Sequence, residues 1–419
     1  MPLVLTILRL CIALSILAGG VPVSAAAFDE AVLRAALQHY VDECPARSGA
    51  PGVTAAVALP SGDVLQFAAG LSDVENSLVM QPDDRMAAGS IGKSFVGAYA
   101  AALVTEGVVK LDDPIEKYLG REAWFKEIPY GKDITLKMLL NHTAGMSEWY
   151  PNLPKDMTRA QLLELLDPRR PRIEVLRYSF KKPPSFRPGT RYEYSDSNFL
   201  LAALALEAAT RRDYNEEITR RFLYPLRLRH TSPSLSTTEA GIAQGYVPAH
   251  APFWLLLGIG GTGERGAFMQ EPGVQPVNPR FEGAGGGFTT TAGDLALWAK
   301  LLYENRAFRG DYLGIALSAI GPQNDETHRV GPVALGMFVW DPDRGYKFAS
   351  PISGKQYGHI GVYGGYNASM MYFPRWKISV AMMFNGYTSQ ETHHALPTGL
   401  ADLVVNALQS SEARGATPH

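Results

Sequence analysis

The sequence predicts an α/β fold in which an antiparallel sheet, built from both ends of the chain, is flanked by helices and interrupted by an inserted, mainly α-helical region. Strand-like apolar runs occur near both ends, and helix-like segments fill the middle. Of the 419 residues, 46% are hydrophobic and 19% are charged, which provides an ample core and excludes a wholly disordered chain. The net charge of −2 gives no indication of nucleic-acid binding.

Periodicity and turn residues set the predicted elements in chain order. The predicted helices are residues 29–42, 91–103, 136–141, 159–166, 198–208, 292–303 and 391–408. The predicted strands are residues 53–59, 64–69, 333–339, 358–365, 369–373 and 378–384. We therefore predict one domain over residues 28–409, with the helical region within about 105–285, a Gly-rich irregular stretch at 258–287 and a disordered tail at 410–419.

The first 27 residues have the order of a secretory signal. Arg9 precedes an apolar stretch at residues 10–18, and Gly19, Gly20 and Pro22 then lead into a run of small residues. We expect cleavage within that run and a secreted or periplasmic mature protein. A retained membrane anchor is the alternative, but the helix breakers shorten the apolar span below the ~20 residues that a membrane helix needs.

Several other catalytic chemistries find little support in the sequence. The G-x-S-x-G elbow and the zinc-binding H-x-H and H-E-x-x-H patterns are absent. Residues 87–94 resemble a phosphate-binding loop, but the polar residues 81–85 stand where the required buried strand would be. Cys44 is the single cysteine outside the predicted signal, and we expect a small buried side chain rather than a nucleophile.

Ser90 and Lys93 form the first motif with a chemical use. They are three residues apart at the start of an apolar helix, so they share one face. The helix N-terminus favours negative charge on Ser90, and a nearby Lys can either lower the pKa of the hydroxyl or take its proton. A second S-x-x-K, at residues 179–182, runs into Pro183, which disfavours the helix that would align the pair.

Two further motifs follow downstream. Tyr194, Ser195 and Asp196 stand just before the predicted helix 198–208, and a desolvated tyrosinate beside a Lys can act as a general base. The third motif, residues 359–361 with the sequence His-Ile-Gly, lies in a Gly-flanked strand. Missing side chains there let a substrate approach the backbone N–H groups.

In this order, the three motifs resemble the serine β-lactamase and penicillin-binding protein family, in particular its branch of class C β-lactamases, D-Ala-D-Ala carboxypeptidases and esterases. Supporting stretches lie at residues 139–145, 186–195 and 284–295, so the resemblance covers nearly all of the predicted mature chain. It implies an exported serine hydrolase with a small-molecule or peptide substrate, such as a carboxylic ester, a D-amino-acid peptide or a β-lactam. It implies no metal, organic cofactor or obligatory protein partner.

The resemblance also implies a role for each motif residue. Ser90 is the nucleophile that becomes acylated, and Lys93 and Tyr194 share the proton transfers. The backbone N–H groups of Ser90 and Val362 form the oxyanion hole.

Three residues are implied at the substrate. Gly361 permits its close approach, and Asp196 and His359 contact it. An imidazole titrates near ~6.5, so we expect His359 to bind a substrate carboxylate in a pH-dependent way.

The sequence departs from the β-lactamase pattern at two positions. His359 stands where these enzymes usually have Lys, and Asp196 stands where they usually have Asn. An ionised Asp cannot donate a hydrogen bond to a substrate amide, so both changes disfavour efficient β-lactam hydrolysis. Alternatively, Asp196 only caps the following helix.

Three alternatives stay open. The chain could be an inactive module that binds peptidoglycan or lipid, although the intact first and second motifs argue against this. The basic segment 169–191 could steer anionic cell-wall material or be an ordinary solvated loop. The apolar run 253–257 could be a lid or membrane-facing patch, or part of the core.

Overall fold

The computed structural model describes residues 29–167, 169–247, 266–267, 273–275, 278–322, 331–346 and 349–415. The predicted signal at 1–27, the apolar run 253–257 and much of the Gly-rich stretch lie outside these ranges. Within them, none of the helices is long and apolar enough to cross a membrane.

The central element is an eight-stranded sheet in which every paired neighbour is antiparallel, with the order β3-β2-β1-β13-β12-β11-β10-β9. The described strands are β1 (Gly52–Ala58), β2 (Val64–Asp73), β3 (Leu78–Val79), β4 (Met86–Ala87), β5 (Ser232–Pro233), β6 (Tyr246–Val247), β7 (Gly266–Ala267), β8 (Phe288–Thr290), β9 (Val333–Ala334), β10 (Met337–Trp340), β11 (Gln356–Tyr363), β12 (Tyr366–Phe373) and β13 (Ile378–Phe384). Because β1 lies next to β13, the two ends of the domain close the sheet, as predicted.

Helices cover both faces of this sheet. The described α-helices are α1 (Glu30–Asp42), α2 (Cys44–Ser48), α3 (Lys93–Thr105), α4 (Glu116–Leu119), α5 (Leu136–Leu140), α6 (Arg159–Leu165), α7 (Ile173–Phe180), α8 (Asp196–Thr210), α9 (Tyr214–Ile218), α10 (Ala292–Tyr303), α11 (Tyr312–Ser318) and α12 (Gln390–Gly415). Each helix predicted from periodicity is confirmed within a few residues at its ends, apart from the C-terminal end of the last.

Side chains of the central strands alternate between two apolar layers, as the period of a strand requires. On one face, Val57 and Val380 pack with Leu37 of α1 and Val404 of α12. The other face packs in the layer that contains α3, α8 and α10, where Met383 belongs to the core. Helices α3 and α8 are buried on nearly all sides, which explains why their sequences carry no polar stripe.

Several predicted strand ends lie two to four residues from the observed ones, and two further predictions are wrong. The run 333–339 is not one strand, because Leu335 and Gly336 both adopt positive φ and turn the chain between β9 and β10. The last helix continues to Gly415, so the predicted disordered tail from residue 410 begins inside it.

Two side-chain predictions can be compared with the packing. Cys44 is a free thiol that is fully buried, as expected for a small core side chain. In the basic segment, Arg170, Arg172 and Arg177 form ion pairs with glutamates, which offsets part of the positive charge there.

Candidate active site

Ser90 lies in a single 3₁₀ turn, Gly89–Gly92, that leads directly into α3. Strand β4 places this turn by pairing with β8, in the register Met86 with Thr290. The Ser90 side chain is half-buried, whereas Lys93, at the first position of α3, has no exposed surface. The first motif therefore presents its hydroxyl toward accessible space and keeps its ammonium inside the protein.

The Lys93 ammonium joins the first motif to two other segments. Its Nζ donates hydrogen bonds to Ser90 Oγ at 3.1 Å and to Asp196 Oδ1 at 2.5 Å. It also donates to the backbone oxygen of Gly285. These three acceptors match the three protons of a charged ammonium.

Charge at Lys93 is stabilised by its surroundings. Burial alone would lower the pKa of Lys93, but the Asp196 carboxylate and Tyr194 raise it above its ordinary value. The side chain is therefore a cation near neutral pH, and it stabilises negative charge on its neighbours.

Tyr194 lies against this cation. Lys93 Nζ is 4.9 Å from the centroid of the Tyr194 ring, and the ring of His142 stacks on the Tyr194 ring at a centroid distance of 4.3 Å. Burial raises the pKa of the Tyr194 phenol to about 12, although polar interaction with Lys93 and with Ser90 lowers it. The phenol is therefore neutral in the absence of substrate. Its oxygen interacts with Lys93 and Ser90, but it is buried without a hydrogen bond of normal geometry.

Asp196 is the first residue of α8, and the N-cap is Ser195. The Asp196 side chain makes the ion pair with Lys93 and remains 25% exposed. The proposal that Asp196 only caps the helix is therefore wrong, because its carboxylate is committed to the Lys93 ammonium.

The predicted oxyanion strand packs on the Ser90 turn. A Cβ atom added to Gly361 would lie 1.9 Å from the backbone oxygen of Ala88, so any other residue there would push the strand away. A Cβ on Gly89, whose φ is +52°, would lie 2.7 Å from the backbone nitrogen of Val362. The backbone of Val362 thus runs directly beside the turn that carries Ser90.

His359 does not have the environment that the sequence suggested. Its ring is 1% exposed, lies 4.6 Å from the Phe338 ring centroid, and directs Nδ1 to the backbone oxygen of Ile360 at 2.5 Å. Burial, with a contribution from the Lys93 ammonium, lowers the pKa of His359 to about 3. The expectation that it titrates near neutral pH and binds a carboxylate as a cation is therefore wrong, because this apolar setting keeps the ring neutral.

Two carboxyl groups near Asp196 were not singled out from the sequence. Burial, and then repulsion by Asp196, raises the pKa of Glu148 to about 7 and that of Glu282 to about 8. Glu148 follows a stretch that supported the resemblance, whereas Glu282 lies in the Gly-rich stretch; neither belongs to a pattern that marks a site. Among the charges that act on Glu282 in the described residues, Lys93 is the one cation.

The structure thus brings all of the predicted site residues to one place, where β11, the Ser90 turn and the start of α8 meet. A hydroxyl, a buried cation and a buried phenol lie within contact range of one another, next to backbone that can supply N–H groups. Such an arrangement is suited to acyl transfer through a serine. No group of three or more residues that could hold a metal ion is found in the described ranges.

Comparison with solved structures shows the same fold in hydrolases and related proteins. A D-amino acid amidase from Ochrobactrum anthropi SV3, complexed with D-phenylalanine, has a TM-score of 0.72 at 23% identity over 91% of this chain and 99% of that chain. A D-stereospecific amidohydrolase from Streptomyces sp. has a TM-score of 0.67 at 22% identity over 86% and 97%. An octameric penicillin-binding protein homologue from Pyrococcus abyssi has a TM-score of 0.66 at 21% identity over 90% and 77%.

Comparison of sequences gives a partial match and a family. Protein flp of Staphylococcus aureus (strain MW2) is 28% identical over 165 residues, which are 39% of this chain. The match spans 31% of that relative's length. The family model described as Beta-lactamase matches residues 37–404. Because that model covers most of the chain and the fold agrees with it, this protein belongs to the Beta-lactamase family.

Proposed function

We propose that this protein is a serine hydrolase that forms an acyl-enzyme on Ser90. The observation that carries the proposal is the contact between the buried Lys93 ammonium and Ser90 Oγ, at 3.1 Å, in a place where Tyr194 also meets both groups. A buried ammonium that donates a hydrogen bond to a serine hydroxyl stabilises negative charge on that oxygen, which activates the serine as a nucleophile.

The charges favour Tyr194 as the group that moves the proton. In acylation, Ser90 Oγ bonds to the substrate carbonyl carbon, and its proton passes to the Tyr194 oxygen. The Tyr194 proton passes at the same time to the leaving nitrogen or oxygen, whose bond to the carbonyl carbon breaks, so the acyl group stays on Ser90 and the phenol ends neutral. Lys93 stabilises the negative charge that develops on the oxygens of this relay. In deacylation, a water oxygen bonds to the acyl carbon while a proton of that water passes to the Tyr194 oxygen. The Tyr194 proton passes to Ser90 Oγ as the ester bond breaks, which releases the acid and restores the serine.

The oxyanion of the tetrahedral intermediate needs hydrogen-bond donors. We assign this role to the backbone N–H groups of Ser90 and Val362. The close packing of β11 on the Ser90 turn, which requires glycine at residues 89 and 361, supports this assignment.

The local charges also restrict the substrate. Around Lys93 are three carboxyl groups, on Asp196, Glu148 and Glu282, while His359 is neutral. Among the described residues, the one cation that acts on Glu282 is Lys93, and Asp196 already pairs with it, which disfavours substrates with a carboxylate next to the scissile bond, such as β-lactams and peptides that end in D-Ala-D-Ala. We propose an amide or carboxylic ester without such a carboxylate. A D-amino-acid amide is one example, because two proteins of this fold are named as a D-amino acid amidase and a D-stereospecific amidohydrolase.

A substrate panel tests this proposal. The purified mature chain and its Ser90→Ala variant are assayed with D- and L-phenylalanine amide, a short-chain ester, a D-Ala-D-Ala peptide and a chromogenic cephalosporin. We expect hydrolysis of an amide or the ester, with kcat/KM at least about tenfold above the two carboxylate substrates, and loss of activity in Ser90→Ala. Binding of a cell-wall peptide or lipid without turnover of any substrate would instead support the inactive binding module.

We also propose that the enzyme acts outside the cytoplasm. The support is the order of basic, apolar and small residues within positions 1–27. Expression of the full chain in a bacterial host, followed by mass measurement of the protein in the periplasmic fraction, tests this. A mature form that begins near residue 28 is expected, and an uncleaved protein in the cytoplasm would contradict it.

A further inference from the structure

One loop holds the turn that carries the second motif. The loop, residues 142–148, follows α5. The turn, residues 193–197, comprises the three residues before α8 and the first two residues of that helix. The backbone N–H of Glu193 donates to the oxygen of His142 at 3.0 Å, which joins the two segments at one end. The side chains of His142 and Glu148 make further contacts between the loop and the turn, and both lie next to proposed catalytic groups.

His142 contacts the turn through its ring. Its Nδ1 accepts the backbone N–H of Ser195 at 3.2 Å, and its ring stacks on Tyr194. The side chain is fully buried, and burial, followed by the charge of Lys93, lowers its pKa well below the ordinary value. A neutral ring keeps the Nδ1 lone pair available, so His142 can fix both the Ser195 backbone and the plane of the Tyr194 ring.

Glu148 contacts the turn through both carboxylate oxygens. Oε2 accepts the backbone N–H of Asp196 at 2.5 Å, and Oε1 accepts the Ser197 hydroxyl at 3.0 Å and the Trp149 N–H at 2.8 Å. The N-cap residue of α8 makes no capping hydrogen bond with its own side chain. Glu148 therefore supplies, from a separate loop, an acceptor for the start of this helix.

The contact continues to the proposed nucleophile. Asp196 is bound through its backbone by Glu148 and through its carboxylate to Lys93, which in turn donates to Ser90. Glu148 and Asp196 are both acidic, and their mutual repulsion is one of the causes that raise the pKa of Glu148. Carboxyl groups with pKa values perturbed by burial and by a neighbouring carboxylate are concentrated at functional sites.

We propose that Glu148 and His142 are positioning residues, which fix the backbone at Ser195 and Asp196 so that Tyr194 and Asp196 meet Lys93. This inference rests on the proposed acyl-enzyme at Ser90. Neither residue is expected to touch the substrate. Their loss should lower the rate of the chemical step more than it lowers substrate binding, because small displacements of catalytic groups cost about 10²-fold in rate.

The test uses Glu148→Gln with Glu217→Gln as its matched control. Gln has nearly the same shape as Glu but offers one acceptor and one donor group, so it cannot accept from Asp196, Ser197 and Trp149 together. Glu217 is a buried carboxylate held by Arg212, Arg220 and Arg221, so its loss reports on a purely structural acceptor. The thermal midpoint, kcat and KM are measured for all three proteins, with active sites counted by a fluorophosphonate.

We expect Glu148→Gln to lower kcat per labelled site by about 10- to 100-fold, with KM changed less than threefold. Glu217→Gln should lower the thermal midpoint without changing kcat per labelled site. Unchanged kcat per site in Glu148→Gln would overturn the proposal. If Glu148→Gln does not fold, His142→Asn is used. His142 has a φ of +58°, and Asn also tolerates positive φ. A kcat per site within twofold of wild type in His142→Asn would then overturn the proposal. A wild-type protein that is not labelled at Ser90 would instead contradict the proposed function, and this inference with it.

Discussion

Lys93 Nζ lies 2.5 Å from Oδ1 of Asp196, which follows it by 103 positions in the chain. The Lys93 side chain has no exposed surface, whereas that of Asp196 is 25% exposed. This pair joins the helix of the first motif to the helix of the second. It also decides the charge at the site, because the carboxylate opposes the effect of burial on the ammonium.

The first prediction concerns that ion pair. Without the carboxylate, burial should dominate, and Asp196→Asn should lower the pKa of Lys93. Because the relay needs a charged Lys93, the alkaline loss of kcat/KM for a neutral ester should begin about one pH unit or more lower in the variant. The pH–rate profile between about pH 6 and 10 measures this, because the wild-type Lys93 pKa lies above its ordinary value and should give no alkaline loss in that range, whereas the variant should.

Asp213→Asn is the matched control, since Asp213 caps α9 and is not one of the site residues. Its alkaline limb should coincide with that of the wild type. Identical limbs in Asp196→Asn and wild type would show that Asp196 does not set the charge of Lys93.

The second prediction separates the two candidate proton carriers. Tyr194→Phe keeps the ring but removes the relay oxygen, so acylation should slow by about 10²- to 10⁴-fold. Lys93→Ala should lower turnover by at least on the order of 10³. Pre-steady-state release of the leaving group from a chromogenic ester measures the acylation rate, and steady-state kcat measures turnover. A Tyr194→Phe enzyme with wild-type acylation would assign proton transfer to another group.

The third prediction reverses the expectation drawn from the sequence for His359. Burial, with the Lys93 ammonium, lowers the pKa of the imidazole to about 3, so its charge does not change across neutral pH. His359 should therefore contribute nothing to any change of KM for a substrate with a carboxylate between about pH 5.5 and 7.5. His359→Gln, which is neutral throughout, should show the same profile as the wild type. A rise of KM with pH in the wild type that His359→Gln abolishes would refute this.

The fourth prediction concerns stability and pH. Burial, with repulsion by Asp196, raises the pKa of Glu282 to about 8, so the folded protein binds this proton more tightly than the unfolded chain does. The stability that this protonation contributes is present at low pH and is lost as the pH rises through the folded pKa. Glu282→Gln cannot ionise, so its thermal midpoint should exceed that of the wild type at about pH 9 and nearly match it at about pH 4.5.

Glu193→Gln, which alters an exposed carboxyl bonded to Ser185, serves as the control for that comparison. Its thermal midpoint should follow that of the wild type at each pH. A Glu282→Gln protein whose advantage does not grow with pH would show that Glu282 ionises as freely in the folded state as in the unfolded one.

The sequence was sufficient where a residue's position follows from local pattern. Helical spacing predicted that Ser90 and Lys93 share a face, and a turn before an apolar helix located Tyr194. A short apolar run likewise predicted β13 without error at either end. These features depend on residues that are neighbours in the chain, so the local sequence pattern is enough to predict them.

The environment of each group depended on distant segments and could not be predicted in the same way. His359 is neutral because Phe338 of β10 and Lys93 of α3 pack near it. Glu148 is a single acid in a loop, and its contact with the α8 N-terminus appears only when both segments are folded. The split between β9 and β10 arises from a positive φ at Leu335, a residue type that gives no local sign of it.

The acyl-enzyme on Ser90 is the central claim, and intact-mass measurement after reaction with a fluorophosphonate tests it most directly. One adduct per chain is expected, located by peptide mapping to Ser90 and absent from Ser90→Ala. Thermal unfolding of the variant shows that it remains folded. An adduct of the same yield on Ser90→Ala, or no adduct on a folded wild-type protein that hydrolyses its substrate, would contradict the serine mechanism.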